Sequence, residues 1–177
     1  MSDCGAHTNC GCESHSGEPV ICFEGVSFRY GRSLVVEDAD FDIYKGESVC
    51  VVGPNGGGKS TLLKLMLGLL QPDQGRVHLL GDTPKRSRSR VGYVPQHINF
   101  DPLFPVTVLD VVLMGRLERS TFGFANRRDT SRALEALEQM GLADRAQDSF
   151  AALSGGQRQA VLIARALAAE VDVLLLD

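Results

Sequence analysis

Gly53-Pro54-Asn55-Gly56-Gly57-Gly58-Lys59-Ser60 is the stretch on which the fold of this 177-residue chain turns. It follows an apolar, β-branched run, Ser48 to Val52, and leads into a leucine-rich segment, Lys59 to Leu70. The run reads as a buried parallel strand. The leucines predict a helix buried over much of its surface, ended by Pro72 and Gly75. A glycine turn between such a strand and such a helix, closing on Lys-Ser, is the pattern that cradles a triphosphate. Backbone N–H groups in a glycine nest and the positive helix N-terminus bind concentrated negative charge without side-chain bulk. Lys59 then reaches the β and γ phosphates, Ser60 offers a hydroxyl to Mg2+, and Thr61 adds a hydrogen bond to the α phosphate. The loop alone means nucleotide and no more, because many activities share it.

Working outward, Val20 to Phe28 is short and β-like, and after Gly31-Arg32 a further strand is suggested by Phe41 and Ile43. Val77 to Leu80 and Val91 to Val94 read as strands closed by Gly81 and Pro95. From Asn99 to Ala152 the text becomes helical: Val108 to Leu117 is apolar at helical spacing, and Arg132 to Met140 repeats Ala-Leu-Glu before Gly141. Ser154 precedes a helix through Leu167, and Val171 to Leu176 returns to a buried strand ending at Asp177. The pattern predicts an α/β protein: a P-loop core on a parallel sheet, an amino-terminal antiparallel β subdomain, and a helical subdomain inserted at about 99–155.

Composition fits one folded unit, 19–177, behind a tail at 1–18. The chain is 44% hydrophobic and 23% charged with net charge -4, so nothing in the overall balance favours a nucleic-acid or lipid surface. The one basic run, Lys85, Arg86, Arg88 and Arg90, could be taken for a polyanion patch but reads as a solvated loop before a strand. Apolar stretches such as Val173 to Leu176 fall far short of the roughly 20 residues a membrane span needs. No apolar segment follows a basic start, so the cytoplasm, where thiols stay reduced, is the expected compartment. Cys22 and Cys50 lie in strand-like runs and are expected in the core. Cys4, His7, Cys10, Cys12 and His15 have the ligand types of a soft-metal site such as zinc. Their Gly, Ser and Asn surroundings read equally as a disordered tail with incidental ligands.

Four further segments resemble the ABC ATPase family from about Val20 to Asp177. The most specific is Leu153-Ser154-Gly155-Gly156-Gln157, which is similar to the ABC signature motif and opens an alanine-rich helix. Ser154 can cap that helix while Gly155 and Gly156 leave its amides open, a second anion site on the same chain. Tyr30 stands where the family's A-loop aromatic stacks on adenine. Gln96, in Tyr93-Val94-Pro95-Gln96, matches the Q-loop glutamine, which touches Mg2+ or the attacking water. Val171 to Asp177 matches Walker B, with Asp177 in the Mg2+ shell.

What the resemblance implies is a RecA-like P-loop fold and an ATP hydrolase in which two domains pack head to tail. The signature of one then closes over the γ phosphate held by the P-loop of the other. Partners would be an integral membrane permease on the cytoplasmic face of the plasma membrane and, indirectly, an extracytoplasmic metal-binding protein. Phe104 to Arg116 and Gly56-Gly57-Gly58 resemble ATPases of zinc and manganese importers; iron-chelate and cobalamin importers share parts of these segments. The family's glutamate after the Walker B aspartate, its D-loop, its switch histidine and its last core strands have no counterpart before Asp177. By that reading the chain is truncated after Walker B, with hydrolysis and stability reduced. An inactive ATP-binding fragment, a regulatory ABC protein, and a non-transport ABC ATPase of translation or DNA repair are the alternatives.

Overall fold

A computed structural model describes residues 17–96, 101, 104–119 and 126–177. Strands β1 (Ile21–Tyr30), β2 (Ser33–Ile43) and β3 (Gln74–Leu79) form an antiparallel sheet in the order β2-β1-β3. Strands β4 (Val91–Val94) and β5 (Val173–Leu176) pair in parallel, Val91 opposite Val173 and Val94 opposite Leu176. The helices are α1 (Lys59–Met66), α2 (Pro84–Ser87), α3 (Val108–Leu113), α4 (Arg127–Gln139) and α5 (Gly155–Ala168). Both expected layers are therefore present, an antiparallel amino-terminal sheet and a parallel pair linked through helices.

Two apolar cores organise these elements. Phe23, Val26, Leu65 and Leu79, with Leu175, fill the core under the antiparallel sheet. Val108, Val112, Leu137, Phe150 and Val161 fill the other, among α3, α4 and α5. Adjacent residues of β4 serve different cores, because strand side chains alternate in direction: Val94 joins the helical core, while Tyr93 packs against the sheet core.

Arg116 and Asp129 tie the helices together. Their side chains are 9% and 6% exposed, and the guanidinium Nε donates to Asp129 Oδ1 at 2.9 Å. Nη1 of Arg116 also donates to the Ala168 carbonyl at 2.9 Å and to Glu170 at 3.2 Å, at the C-terminal end of α5. Burial works against the Arg116 charge, but the bonds to Asp129 and Glu170 outweigh it and leave its pKa above the ordinary value. Asp129 is held below the usual carboxylate range, first by the Asn126 backbone amide and then by Arg116.

Several expectations need correction. Ser48 to Val52 forms no strand: no described strand pairs with it, Val52 is 88% exposed, and Cys50 lies at the surface rather than in the core. A β-branched run becomes a strand only when a neighbour accepts its backbone hydrogen bonds. Cys22 is buried as expected. β5 begins at Val173 and is buried on one face only, with Leu176 55% exposed.

The first helix stops at Met66, four residues early. Gly68 adopts φ 65°, its N–H bonds to Leu65 O at 3.0 Å, and Leu69 N–H bonds to Lys64 O at 2.9 Å. That pair is a Schellman close, which a left-handed glycine permits. The α3 segment likewise leaves α-helical geometry at Met114 and continues to Arg119 as a 3-10 helix. There Gly115 lies against the Arg165 backbone carbonyl, where a Cβ would collide. In contrast, α4 starts at Arg127, five residues before the expected Arg132, because Asn126 and Asp129 form a capping box. The basic run is exposed at Lys85, Arg86, Arg88 and Arg90; Arg90 pairs with Asp172 at 2.8 Å.

Candidate functional site

The glycine loop enters α1 through Gly58 at φ 83°, where a Cβ would lie 2.9 Å from the Val35 carbonyl oxygen. Only glycine takes that conformation and that clearance together. Gly56 is also left-handed, at φ 80°. Lys59 follows at the first position of the helix and donates from Nζ to the carbonyls of Gly53 at 2.8 Å and Pro54 at 2.7 Å. An ammonium has three donors, so one remains to turn outward.

Ser60 Oγ donates to Asp177 Oδ1 at 2.8 Å. The other oxygen, Oδ2, accepts from the Tyr93 hydroxyl at 3.1 Å, and the Asp177 N–H bonds to Val94 O at 3.0 Å. Burial raises the Tyr93 pKa above its ordinary value, and the Asp177 carboxylate adds to the shift. Asn55, Gly56, Gly58, Lys59, Ser60, Thr61, Gln96 and Asp177 line one open concavity of about 380 Å³. The chain thus brings together residues from the glycine loop, the end of β4 and the end of β5.

Hydroxyl, carboxylate and amide oxygens in one cleft, beside a lysine and a glycine nest, make a hard donor set. That set fits a Mg2+ ion on a phosphate chain and suits softer metals poorly. Among the lining residues Asp177 is the one carboxylate.

Other expected site residues lie elsewhere. Tyr30 ends β1, 46% exposed, with its ring edge-on to Phe28 at 4.9 Å, and it does not line the Lys59 concavity. Gly53, Pro54 and Gly57 shape the loop without lining the concavity; Gly57 N–H bonds to Pro54 O at 3.1 Å. Ser154 caps α5 as anticipated: its Oγ accepts from Gln157 N at 3.3 Å, and Gln157 Oε1 accepts from Ser154 N at 3.0 Å. Ser154, Gly155 and Gly156 are exposed, and no atom lies within 4 Å of where a Cβ would stand on either glycine. None of the signature residues lines the concavity that holds Lys59 of the same chain.

Cys4, His7, Cys10, Cys12 and His15 lie outside the described residues, and among the described residues no group of three or more His, Cys, Asp or Glu side chains is placed to hold a metal. No described helix is long and apolar enough to cross a membrane. Tyr93, which the sequence pattern does not single out, is a neighbour of Asp177 in the structure. A strand tyrosine is more often core, and only its distance to Asp177 marks it.

The comparisons with known proteins agree with this geometry. The chain is 46% identical over 165 residues to a metal transport system ATP-binding protein of Chlamydia pneumoniae, covering 89% of this chain and 66% of that one. It is 40% identical over 157 residues to the manganese transport system ATP-binding protein MntB of Bacillus subtilis, covering 87% of this chain and 62% of that protein. It therefore spans roughly two thirds of the length of the curated relatives it matches. A solved ABC transporter of metal-chelate type, inward-facing, superposes with a TM-score of 0.77 at 40% identity over 90% of this chain and 59% of that one. The sequence pattern of the family described as ABC transporter covers residues 36–177. Cradle, aspartate and capped glycine helix thus occur in a chain that matches that family from β2 to its last residue, and the protein belongs to the ABC transporter family.

Proposed function

We propose that this chain is the ATP-binding part of an ABC importer's motor subunit and that its cargo is a transition metal ion such as manganese or zinc. The convergence of Lys59, Ser60, Gln96 and Asp177 on one concavity carries the reading. Amides of Gly56 to Ser60 and the Lys59 ammonium hold the β and γ phosphates, and Thr61 adds a hydrogen bond to the α phosphate. Mg2+ at Ser60, Gln96 and Asp177 would neutralise charge between those phosphates. Gln96 orients the attacking water, and Tyr30 stacks on adenine from the end of β1.

The exposed N-terminus of α5, at Ser154, Gly155, Gly156 and Gln157, serves the triphosphate of a second copy packed head to tail. Its exposure in one copy, away from that copy's own Lys59, favours this arrangement. Fast hydrolysis needs a base to activate water. Among the described lining residues the only carboxylate is Asp177, whose oxygens already accept from Ser60 and Tyr93.

The manganese relative at 40% identity favours metal ion cargo, with an integral membrane permease as partner at the cytoplasmic face. A metal-chelate cargo is the second reading, favoured by the solved transporter at the same identity. Cys4, His7, Cys10, Cys12 and His15 are proposed as a separate zinc site in the tail. Domain limits of 1–18, 19–177 and about 99–155 follow the same reading.

Three measurements test it. Mg-ATP binds the wild-type chain, and Lys59→Ala abolishes that binding; equal affinity of the two would overturn the nucleotide reading. Expressed in its native operon context, the protein co-purifies with a polytopic membrane protein whose uptake of manganese or zinc requires Lys59; uptake of a chelate alone selects the second cargo. Zinc titration of the peptide 1–18, with release by chelator, decides the tail site.

A further inference from the structure

Tyr93 is joined to two parts of the machinery at once. Within the parallel pair it lies opposite Leu175, which makes Asp177, the residue just past β5, its diagonal neighbour two residues further along. A long aromatic side chain spans that diagonal. Its hydroxyl donates to Asp177 Oδ2 at 3.1 Å, while Ser60 holds Oδ1 at 2.8 Å and Val94 O holds the Asp177 amide at 3.0 Å. The backbone carbonyl of Tyr93 accepts from Arg165 Nη2 of α5 at 3.4 Å.

A carboxylate pinned by only one oxygen can rotate about its last torsion, which is broad for aspartate. Two hydroxyls on its two oxygens restrict that freedom, at a residue that lines the concavity together with Ser60. We propose that Tyr93 is a positioning residue for the Mg2+ site, its phenol hydroxyl fixing the Asp177 carboxylate in the orientation that Mg-ATP requires. The proposal rests on the ATP reading above and names a side chain which that reading does not use. Hydrogen-bond partners of metal-binding carboxylates contribute to metal affinity although they never touch the metal.

Tyr93→Phe keeps the ring, and with it the packing against the sheet core, while removing the hydroxyl. ATP binding to the full chain is measured by calorimetry with excess MgCl2 and again with EDTA. In the wild type, Mg2+ strengthens binding. In Tyr93→Phe that gain shrinks by about tenfold or more, while affinity in EDTA stays unchanged, which separates loss of metal placement from loss of fold. An unchanged Mg2+ gain overturns the proposal and leaves the ATP reading intact; a wild type that binds no ATP overturns both.

A second measurement decides the case if Tyr93→Phe does not fold. Wild-type protein labelled with carbon-13 at the phenol carbon of its three tyrosines, Tyr30, Tyr44 and Tyr93, is assigned with Tyr30→Phe and Tyr44→Phe. Adding Mg2+ to the ATP-saturated protein shifts the Tyr93 signal; a signal that stays in place overturns the proposal.

Discussion

Ser60 and Asp177 are 117 positions apart in the chain, and their side chains meet at 2.8 Å, hydroxyl to carboxylate. α1 supplies the first, and the second follows directly after β5. The bond directs the Ser60 proton toward Asp177, and both residues line the cleft that Lys59 and Gln96 also line. A divalent cation placed there gains a neutral and an anionic oxygen from one preformed pair.

Ser60→Ala removes one member of that pair without adding bulk. ATP affinity in EDTA is expected to stay at the wild-type value, and the Mg2+-dependent gain to fall by at least about tenfold. Calorimetry with and without chelator checks this, and an equal loss in both conditions would assign Ser60 to the fold instead.

Gly58→Ala tests the entry to α1. The residue stands at φ 83° with a would-be Cβ 2.9 Å from Val35 O, so alanine meets both backbone strain and a collision. The expected destabilisation is about 1–3 kcal/mol, read from urea unfolding, together with loss of ATP binding. An alanine variant that melts and binds like wild type would contradict the loop geometry.

Ser154→Ala removes the α5 cap, a cost of about 1 kcal/mol. Because Ser154 does not line the Lys59 concavity, ATP binding to dilute, monomeric protein should be unchanged. ATP-driven dimer formation, followed by light scattering, should be lost. Weakened binding in the monomer would show that α5 serves its own chain's nucleotide.

Asp129→Asn breaks the buried pair with Arg116 and should lower the urea midpoint at neutral pH, with the melting temperature down by several degrees. The folded pKa of Asp129 lies below its ordinary value. Its contribution is therefore complete above the unfolded pKa of about 3.9 and is lost as pH falls through the folded value. The difference between wild type and variant should hold steady from neutral pH into the mildly acidic range and close only in strong acid. A gap that closes near neutrality would assign the effect to another group.

The local devices were legible because each is written in neighbouring residues. The glycine loop from Gly53 to Ser60, the Ser154 to Gln157 cap and strand β4 stand where the spacing put them. The Asn126 to Asp129 box is equally local, and it moved the start of α4 back to Arg127. The extent of α1 was not legible, because whether Gly68 interrupts a leucine run depends on its left-handed backbone and on Lys85, whose N lies 2.9 Å from where a Gly68 Cβ would stand.

Residue order and spacing by themselves determined the glycine loop and the cap of α5, since these depend on backbone conformation within a few residues. Tertiary structure alone decided that Ser60 and Tyr93 grip the two oxygens of Asp177, that Arg116 locks α4 to the end of α5, and that Ser48 to Val52 lies unpaired at the surface. Those outcomes rest on which distant segments become neighbours. A hydrogen bond or an apolar contact forms only where two such segments meet in space, and periodicity along one segment carries no record of the other.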